Sequence, residues 1–197
     1  MKRILNTETT ITFLRHGVVE NPQEILYGRL PGFGLSVLGK KQIIATGQEL
    51  AKMNVSQIYT SPMKRTRETS TILGKILARV PKVSFLLNEV CLFCQGITTR
   101  EYHVRVQQNL YSEKNYNKGQ ERIEHIFLRM KQFVKLIVKK HPGVHVVAVS
   151  HGDPIMILRA LSSGIEFSWD YKRRNYLQTG KYITLRVKSD GKYVWNP

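Results

Sequence analysis

The chain has 197 residues, of which 42% are hydrophobic and 23% are charged. This length and composition suit a single globular domain over residues 1–197, with a core that needs no disulfide bonds to hold it. No stretch approaches the roughly 20 apolar residues that cross a bilayer. The basic segment 1–6 is not followed by the apolar run of a secretory signal, so we expect a soluble, cytoplasmic protein without membrane contact.

The charge of the chain is strongly positive, with 31 Lys and Arg against 14 Asp and Glu and a formal net charge of +17. Such a charge attracts small anionic substrates as well as nucleic acids. The densest basic groups are Lys172-Arg173-Arg174 and Lys64-Arg65-Arg67, and we find no basic tail and no nucleic-acid-binding module. The charge therefore favours a small anionic substrate and makes nucleic acid the less favoured partner.

Two cysteines, Cys91 and Cys94, have the spacing of half a zinc ribbon or of a redox pair. A four-ligand zinc site would need a second pair or histidines from elsewhere. A redox pair would open a helix after a strand, whereas these cysteines lie in a predicted loop. We predict two ordinary reduced thiols and no metal site.

The first part of the chain predicts two strands, each followed by a helix. In chain order, these elements are a strand at residues 9–14, a loop at 18–34, a helix from 36 to about 53, a strand at 55–59 and a helix from 61. Ser36 is the predicted cap of the first helix. Ser61 followed by Pro62 predicts the start of the second, with serine as cap and proline at the first helical position.

The second part continues the alternation and ends in two strands. The predicted elements are a strand at residues 83–87, a loop at 88–100, a short helix at 101–110, a polar break at 115–119, a helix at 120–141, a strand at 144–150, a helix at 155–161, and strands at 182–187 and 193–195. The helix at 120–141 has apolar side chains on one face and Lys and Arg on the other, which is typical of a helix packed on a core.

Strands that alternate with helices predict an α/β fold, namely a three-layer α/β/α sandwich around a largely parallel sheet. Ligands of such sheets bind beyond the carboxyl ends of the strands. The chemically capable side chains of this chain follow predicted strands; they are Arg15, His16, Arg65, Glu89 and His151.

These five side chains suit attack on a phosphate monoester. That reaction needs a nucleophile, cationic donors for the phosphate oxygens, and an acid that protonates the leaving oxygen. The neutral imidazole of His16 can serve as nucleophile near pH 7. Arg15 and Arg65 are fork-shaped donors, and a protonated His151 would be a further donor. Glu89 is the candidate acid, since anionic surroundings would raise its pKa.

Five sequence motifs resemble those of the histidine phosphatase superfamily, which includes the cofactor-dependent phosphoglycerate mutases. The motifs are LRHG at residues 14–17, YGRLPG at 27–32, IYTSPMKRTRET at 58–69, LNE at 87–89 and VSHGDPI at 149–155. The resemblance extends from residue 9 to about residue 161. It implies a phosphoglycerate mutase-like fold, which is consistent with the α/β/α sandwich that the alternation of elements predicts.

The resemblance also implies a mechanism. His16 would take the phosphoryl group and form phosphohistidine, Arg15, Arg65 and His151 would hold its oxygens, and Glu89 would protonate the leaving oxygen and then assist attack by water. The family needs neither a metal nor an organic cofactor for this reaction. The residues implied to bind substrate are Arg15, Asn21, Arg29, Arg65, His151 and Gly152.

We therefore predict a phosphoric monoester hydrolase, of the histidine acid phosphatase type, that acts on a small phosphorylated metabolite. A phosphomutase is the alternative within the enzyme class, but the short stretch at residues 96–119 favours hydrolysis, since mutases of the family carry a longer insertion there. A phosphohistidine protein phosphatase is a weaker alternative. A non-catalytic module that binds anions or nucleic acid is the alternative from another class, supported only by the +17 charge.

Overall fold

The computed structural model describes residues 8–196, so the basic segment at residues 1–6 lies outside the described part. The strands of the described part are β1 (Thr9–Arg15), β2 (Val55–Thr60), β3 (Lys82–Val83), β4 (His145–Ser150), β5 (Tyr182–Val187) and β6 (Tyr193–Asn196). They form one sheet in the order β3-β2-β4-β1-β5-β6. β3, β2, β4 and β1 are mutually parallel, while β5 and β6 join antiparallel beside β1. The prediction of a largely parallel sheet is confirmed.

The helices are α1 (Val37–Leu50), α2 (Lys64–Leu77), α3 (Thr99–Glu101), α4 (Glu113–Tyr116), α5 (Ile123–Lys140), α6 (Gly152–Ser162) and α7 (Trp169–Asn175). Three 3-10 turns accompany them at Ala51–Met53, Phe85–Leu87 and Gln107–Asn109, and a π-helical turn follows α3 at Tyr102–Val106. None of the helices in the described range is long and apolar enough to cross a membrane.

The central strand β4 shows why the sheet has a helical layer on each face. Val146 and Ala148 pack into a core with α5 and α6, whereas Val147 and Val149 pack into a second core with α1 and α2. All four are fully buried. Burial on both faces explains the continuous apolar run at this strand, because neither face needs polar residues. The predicted three-layer α/β/α architecture is confirmed.

The predicted cap of α1 and the predicted apolar face of α5 are both present in the structure. The Ser36 hydroxyl accepts a hydrogen bond of 3.0 Å from the Gly39 N–H and caps α1. α5 buries one apolar face, formed by Ile126, Met130, Phe133, Val134 and Ile137. This face packs on the sheet, while Lys135, Lys139 and Lys140 lie on the exposed side of the helix.

The predicted start of the second helix at Ser61 is wrong. α2 begins at Lys64, with Met63 in the capping position and no side-chain cap. The Ser61 hydroxyl instead lies 2.8 Å from Nε2 of His151. The same hydroxyl accepts only a long bond of 3.5 Å from the Met63 N–H, so its shorter contact is with a residue 90 positions away.

The predicted strand at residues 83–87 is also wrong for most of its length. β3 pairs with β2 only at Lys82–Val83, and the chain then coils into the 3-10 turn Phe85–Leu87. The turn buries Leu87 and leaves Phe85 74% exposed. β3 lies at the edge of the sheet, where the ladder has a partner on one side only, and burying Leu87 takes the chain out of it.

The segment between residues 99 and 110 is helical, as predicted, but irregular, because it passes from α3 through the π-helical turn into a 3-10 turn. α7 was not predicted. Its cap, Ser168, accepts a hydrogen bond from the Tyr171 N–H. A serine at the cap followed by an acidic first turn at Asp170 is the signal that identifies this helix in hindsight.

Candidate active site

Three neighbouring parallel strands bring the candidate residues to one edge of the sheet. β1 ends at Arg15 and leads to His16, and β4 ends at Ser150 and leads to His151. Arg15 pairs with Ser150 in the ladder, so the two histidines leave the sheet side by side, with ring centres 5.3 Å apart. β2 lies on the other side of β4 and leads to α2, which carries Arg65 in its first turn. This arrangement follows the rule for ligand sites of open α/β sheets.

The ring of His16 is buried and held in one tautomer. Its Nδ1 lies 2.8 Å from the carbonyl oxygen of Gly17, which can only accept, so Nδ1 carries the proton and Nε2 the lone pair. Burial, together with Arg65, His151 and Arg15 nearby, holds the pKa of His16 well below 6.5. At pH 7 the imidazole is neutral and offers a lone pair, which is the state that a nucleophile requires.

His16, Arg65, Glu89 and His151 form a cluster of contacting side chains. Arg65 contacts the other three. Its Nε donates to Nε2 of His16 at 3.2 Å. Its Nη2 lies 3.3 Å from Oε2 of Glu89 and 3.1 Å from Nδ1 of His151, and donates to the Gly28 carbonyl oxygen at 2.9 Å. The side chain is only 1% exposed. A buried guanidinium aimed at the lone pair of a neutral imidazole is placed to hold an oxyanion at that point.

Glu89 and His151 form a coupled pair in which Oε2 of the carboxylate lies 3.2 Å from Nδ1 of the ring. Burial raises the pKa of Glu89. His151, Arg65 and a hydrogen bond from the Val90 N–H together lower it by more than burial raises it, so the net pKa is well below its usual value. Arg65 is permanently charged, so the pKa of Glu89 stays lowered even when the ring of His151 is neutral. Burial also lowers the pKa of His151 to about 4, against the opposing effect of Glu89. In the free protein at pH 7, Glu89 is therefore ionised and His151 is neutral.

These shifts predict that the protein loses stability as the pH falls from 7 to 5. In the unfolded chain His151 binds a proton near its usual pKa of 6.5, whereas in the native state the pKa is about 4, so the unfolded state gains protons first. The expected loss from His151 alone is about 2 kcal/mol between pH 7 and pH 5. Urea unfolding of the wild type and of His151→Gln at both pH values measures it. Equal losses in the two proteins would contradict the assignment.

Arg15 lies beside the cluster rather than within its hydrogen bonds. Its Nη1 donates to the Leu177 carbonyl oxygen at 2.8 Å, and its guanidinium carbon lies 4.9 Å from the ring centre of Tyr176. Its Nε is buried and has no hydrogen-bond partner among the described residues. A buried cationic N–H without an acceptor is costly. An anion next to His16 would provide that acceptor.

The chemistry of the cluster favours an anion over a metal ion. One ligand atom each of His16, Glu89 and His151 lie within 4.8 Å of one another, a spacing that a metal ion could bridge. The guanidinium of Arg65, however, lies within 3.3 Å of all three side chains. A permanent positive charge at that place repels a cation and attracts a phosphate.

The cysteines stand apart from this cluster. Cys91 is exposed, Cys94 is buried, and both are free thiols. Burial raises the pKa of Cys94, which keeps the thiol protonated. In the described part of the chain, neither belongs to a group of three metal-ligating side chains.

The other three predicted substrate-binding residues have different surroundings. Asn21 bonds to the backbone of Ile25 through both its amide nitrogen and its oxygen, so its polar atoms are engaged within the loop. Arg29 contacts the backbone of the cluster, since its Nε donates to the Glu89 carbonyl oxygen at 2.8 Å. Gly152 is the first residue of α6, and an added Cβ there would collide with the Tyr176 hydroxyl. The structure does not bring Asn21 to the cluster, and it gives Gly152 a packing role.

Two side chains that contact the cluster, those of Tyr27 and Ser61, were not predicted as site residues. The Arg65 guanidinium lies 4.8 Å from the ring centre of Tyr27, and the Ser61 hydroxyl bonds to His151. Both residues lie inside the family motifs quoted above, which is the signal that could have identified them. Neutral aromatic and hydroxyl groups of this kind hold a charged cluster in place without changing its charge.

The backbone that carries Glu89 is held by a buried ion pair that sequence patterns do not reveal. Arg129 of α5 donates from Nη1 to the carbonyl oxygens of Leu86 and Asn88, at 2.9 and 2.8 Å. Its Nε lies 2.8 Å from Oε1 of Glu121. In the sequence Arg129 is one of many basic residues on the polar side of a helix, and only the fold shows which of them turns inward.

A cavity of about 320 Å³ opens beside the cluster, and Arg15, Tyr27 and Glu89 are among the residues that line it. A larger cavity of about 730 Å³ lies elsewhere, between α5 and the β5–β6 region, and is lined by Phe127 and Lys131 among others. None of the candidate catalytic groups reaches the larger one. Arg15 and Glu89 line the smaller cavity, so we take it as the candidate substrate cavity beside His16.

The sequence model of the histidine phosphatase superfamily (branch 1) matches residues 11–195. The chain belongs to this superfamily. The match confirms the resemblance inferred from the motifs and extends it through the closing strands. His16 belongs to the motif LRHG and His151 to the motif VSHGDPI, and the two residues directly follow β1 and β4.

Similar proteins include enzymes with named phosphatase activities. Phosphoserine phosphatase 1 of Hydrogenobacter thermophilus is 27% identical over 173 residues, which cover 82% of this chain and 80% of that protein. An uncharacterized protein of Mycobacterium tuberculosis is 31% identical over 173 residues, 85% of each chain. The solved structure of mycobacterial glucosyl-3-phosphoglycerate phosphatase with VO3 superposes with a TM-score of 0.78 at 22% identity, over 95% of this chain and 96% of that one. This structural likeness shows that the fold is shared.

Proposed function

We propose that this histidine phosphatase hydrolyses phosphomonoesters of small metabolites through a phosphohistidine on Nε2 of His16. The observation that supports it most is the neutral, single-tautomer imidazole whose lone pair faces the buried guanidinium of Arg65 at 3.2 Å. The phosphatase activities named for the similar proteins support the same reaction class. Arg15, Arg65, Glu89 and His151 are the other proposed catalytic residues.

In the first step, the Nε2 lone pair of His16 attacks phosphorus, and the bond from phosphorus to the leaving oxygen breaks. Arg65 moves its hydrogen bond from Nε2 to a phosphate oxygen, and the unpaired Nε of Arg15 binds another. Glu89 is ionised in the free protein, so it first takes a proton from the bound phosphate monoanion, whose negative charge raises the pKa of the carboxyl. Glu89 then gives this proton to the leaving alkoxide.

In the second step, water attacks the phosphohistidine. The carboxylate of Glu89 takes a proton from the water as its oxygen bonds to phosphorus, and the electrons of the phosphorus–nitrogen bond return to Nε2 of His16. The side chain of Glu89 is 16% exposed at the cavity, so water reaches it. Hydrolysis rather than transfer to a second substrate is the proposed outcome, which makes the protein a phosphatase rather than a mutase.

The positive charge of the chain serves the same purpose in this proposal. Each of the two densest basic groups places one residue inside the molecule: Arg65 is in the cluster, and Lys172 is 8% exposed and paired with Asp153. The other residues of the two groups, Lys64, Arg67, Arg173 and Arg174, are exposed, so support for a small substrate comes from Arg65 at the nucleophile. We propose a small phosphorylated substrate, a cytoplasmic location and one domain over residues 1–197, since the family match spans residues 11–195.

Hydrolysis without metal is the direct test of this proposal. Purified protein in EDTA is expected to release inorganic phosphate from p-nitrophenyl phosphate and from at least one member of a panel of sugar, amino-acid and alcohol phosphates. EDTA should leave the rate unchanged within about twofold, because Arg15 and Arg65 supply the positive charge that a metal ion supplies in other phosphatases. The non-catalytic alternative predicts no turnover on the panel and nucleic-acid binding that weakens steeply with salt.

A further inference from the structure

The cavity beside the cluster is placed to receive the leaving group of the substrate. Arg15 and Tyr27 line it together with Glu89, the group that protonates the leaving oxygen in the proposed mechanism. The part of the substrate beyond that oxygen must therefore extend into this space. A volume of about 320 Å³ is at the small end of ordinary ligand sites, so the leaving group is compact.

Rings and hydrocarbon form much of the wall of this cavity. The π-helical turn contributes Tyr102, α7 contributes Trp169, and Tyr176, Leu26 and Leu92 complete this lining. Burial raises the pKa of Tyr102 and of Tyr176, so both rings are neutral at pH 7. Neutral aromatic faces favour stacking with a flat or apolar group and offer little to a carboxylate.

The buried cation of this wall is already neutralised. Nζ of Lys172 lies 2.7 Å from Oδ1 of Asp153, and the two side chains are 10% and 9% exposed. The Tyr111 hydroxyl also donates to Asp153, at 2.7 Å. Arg173 and His103, the further basic side chains of the wall, are exposed. A second anionic group, such as the carboxylate of an amino-acid or glycerate phosphate, would therefore meet a closed ion pair at Lys172. At Arg173 it would meet an exposed side chain that is itself paired with Asp170 at 3.3 Å.

We propose that the natural leaving group is an alcohol that carries a ring or a comparably compact apolar body, which packs between Trp169 and Tyr102. This inference rests on the proposed phosphatase function and adds a substrate class to it. It separates this chain from relatives whose printed names specify phosphoserine or glucosyl-3-phosphoglycerate, since those leaving groups are strongly polar. Burial of a ring is worth a tenfold or larger gain in kcat/KM.

The test compares esters whose leaving alcohols have similar acidity, so that chemical reactivity does not imitate recognition. Wild-type kcat/KM is measured for benzyl phosphate and 2-phenylethyl phosphate, and for glycerol phosphate, phosphoserine and 3-phosphoglycerate. We expect the ring-bearing esters to exceed the polar ones at least tenfold. In Trp169→Ala this ratio should fall by at least fivefold, whereas Val104→Ala, whose side chain is 77% exposed and does not line the cavity, should keep it.

Inhibition of the wild type provides a second measurement that needs no variant. Benzylphosphonate is expected to inhibit at least tenfold more strongly than methylphosphonate, because the two share the phosphonate and differ in the ring. Polar esters hydrolysed as well as or better than the ring-bearing ones would overturn the substrate class and leave the phosphatase function standing. Absence of turnover on every ester, with wild-type folding intact, would instead overturn the phosphatase function itself.

Discussion

His16→Ala is expected to abolish steady-state hydrolysis of every phosphomonoester, with a loss on the order of 10⁴-fold or more. The reason is that Nε2 of His16 is the atom that bonds to phosphorus, and no other group of the cluster offers a lone pair in that place. Arg65, Glu89 and His151 would remain and could still bind phosphate. The measurement is phosphate release over time, together with trapping of a phosphoenzyme that is labile in acid and stable in alkali.

A structural role for His16 is separated from a nucleophilic one by chemical rescue. The variant leaves a buried space next to Arg65, and added imidazole can occupy it, take the phosphoryl group and leave as phosphoimidazole. Rescue that depends on imidazole concentration is therefore expected in His16→Ala. The matched control is His125→Ala, since His125 is an exposed histidine on α5. Wild-type turnover in His16→Ala would sink the mechanism.

Glu89→Gln is expected to lower the rate of phosphoenzyme formation by roughly 10²–10⁴-fold for alkyl phosphates, because the amide cannot donate the proton that the leaving alkoxide needs. For p-nitrophenyl phosphate the same step should fall about tenfold or less, since nitrophenolate leaves without a proton. The amide has nearly the same shape as the carboxylate, and its single oxygen can still accept from either Arg65 or the Val90 N–H, although not from both.

The second role of Glu89 gives this variant a further signature. Without the carboxylate, water attacks the phosphohistidine slowly, so p-nitrophenyl phosphate should produce a burst of nitrophenol followed by a slow steady state. Rapid-quench measurement of the burst distinguishes the two steps. Glu124→Gln, a change of an exposed carboxylate on α5, serves as the control. Equal losses for alkyl and nitrophenyl esters in the burst phase would rule out Glu89 as the acid.

The positions of the two histidines were predictable because local pattern and topology agree. A β-branched, apolar strand before His16 and an apolar run before His151 predict adjacent buried strands, and parallel strands bring their carboxyl ends to one edge. The protonation states were only partly predictable. The sequence suggested that anionic surroundings raise the pKa of Glu89, whereas Arg65 and His151 surround it with positive charge and donors and lower it.

Contacts made in the folded chain, both local and long-range, explain the features that sequence patterns missed. Ser61 has the local features of a helix cap, yet its hydroxyl bonds to His151. Asn21 has the polarity of a phosphate ligand, yet both ends of its amide are satisfied by Ile25. Arg129 has the appearance of a surface residue, yet it holds the backbone next to Glu89. In each case a partner in the folded chain decides the role of a side chain whose local sequence allows several.

The sequence by itself determined the α/β alternation, the membership of the histidine phosphatase superfamily and the residue types of a phosphate-binding cluster, because these depend on periodicity and on short motifs. The tertiary structure decided the tautomer and neutral charge of His16, because these depend on the Gly17 carbonyl and on burial. It also decided the character of the leaving-group cavity. Tyr102 and Trp169 line that cavity and lie 67 positions apart and outside the quoted motifs, so only folding brings their rings to one cavity.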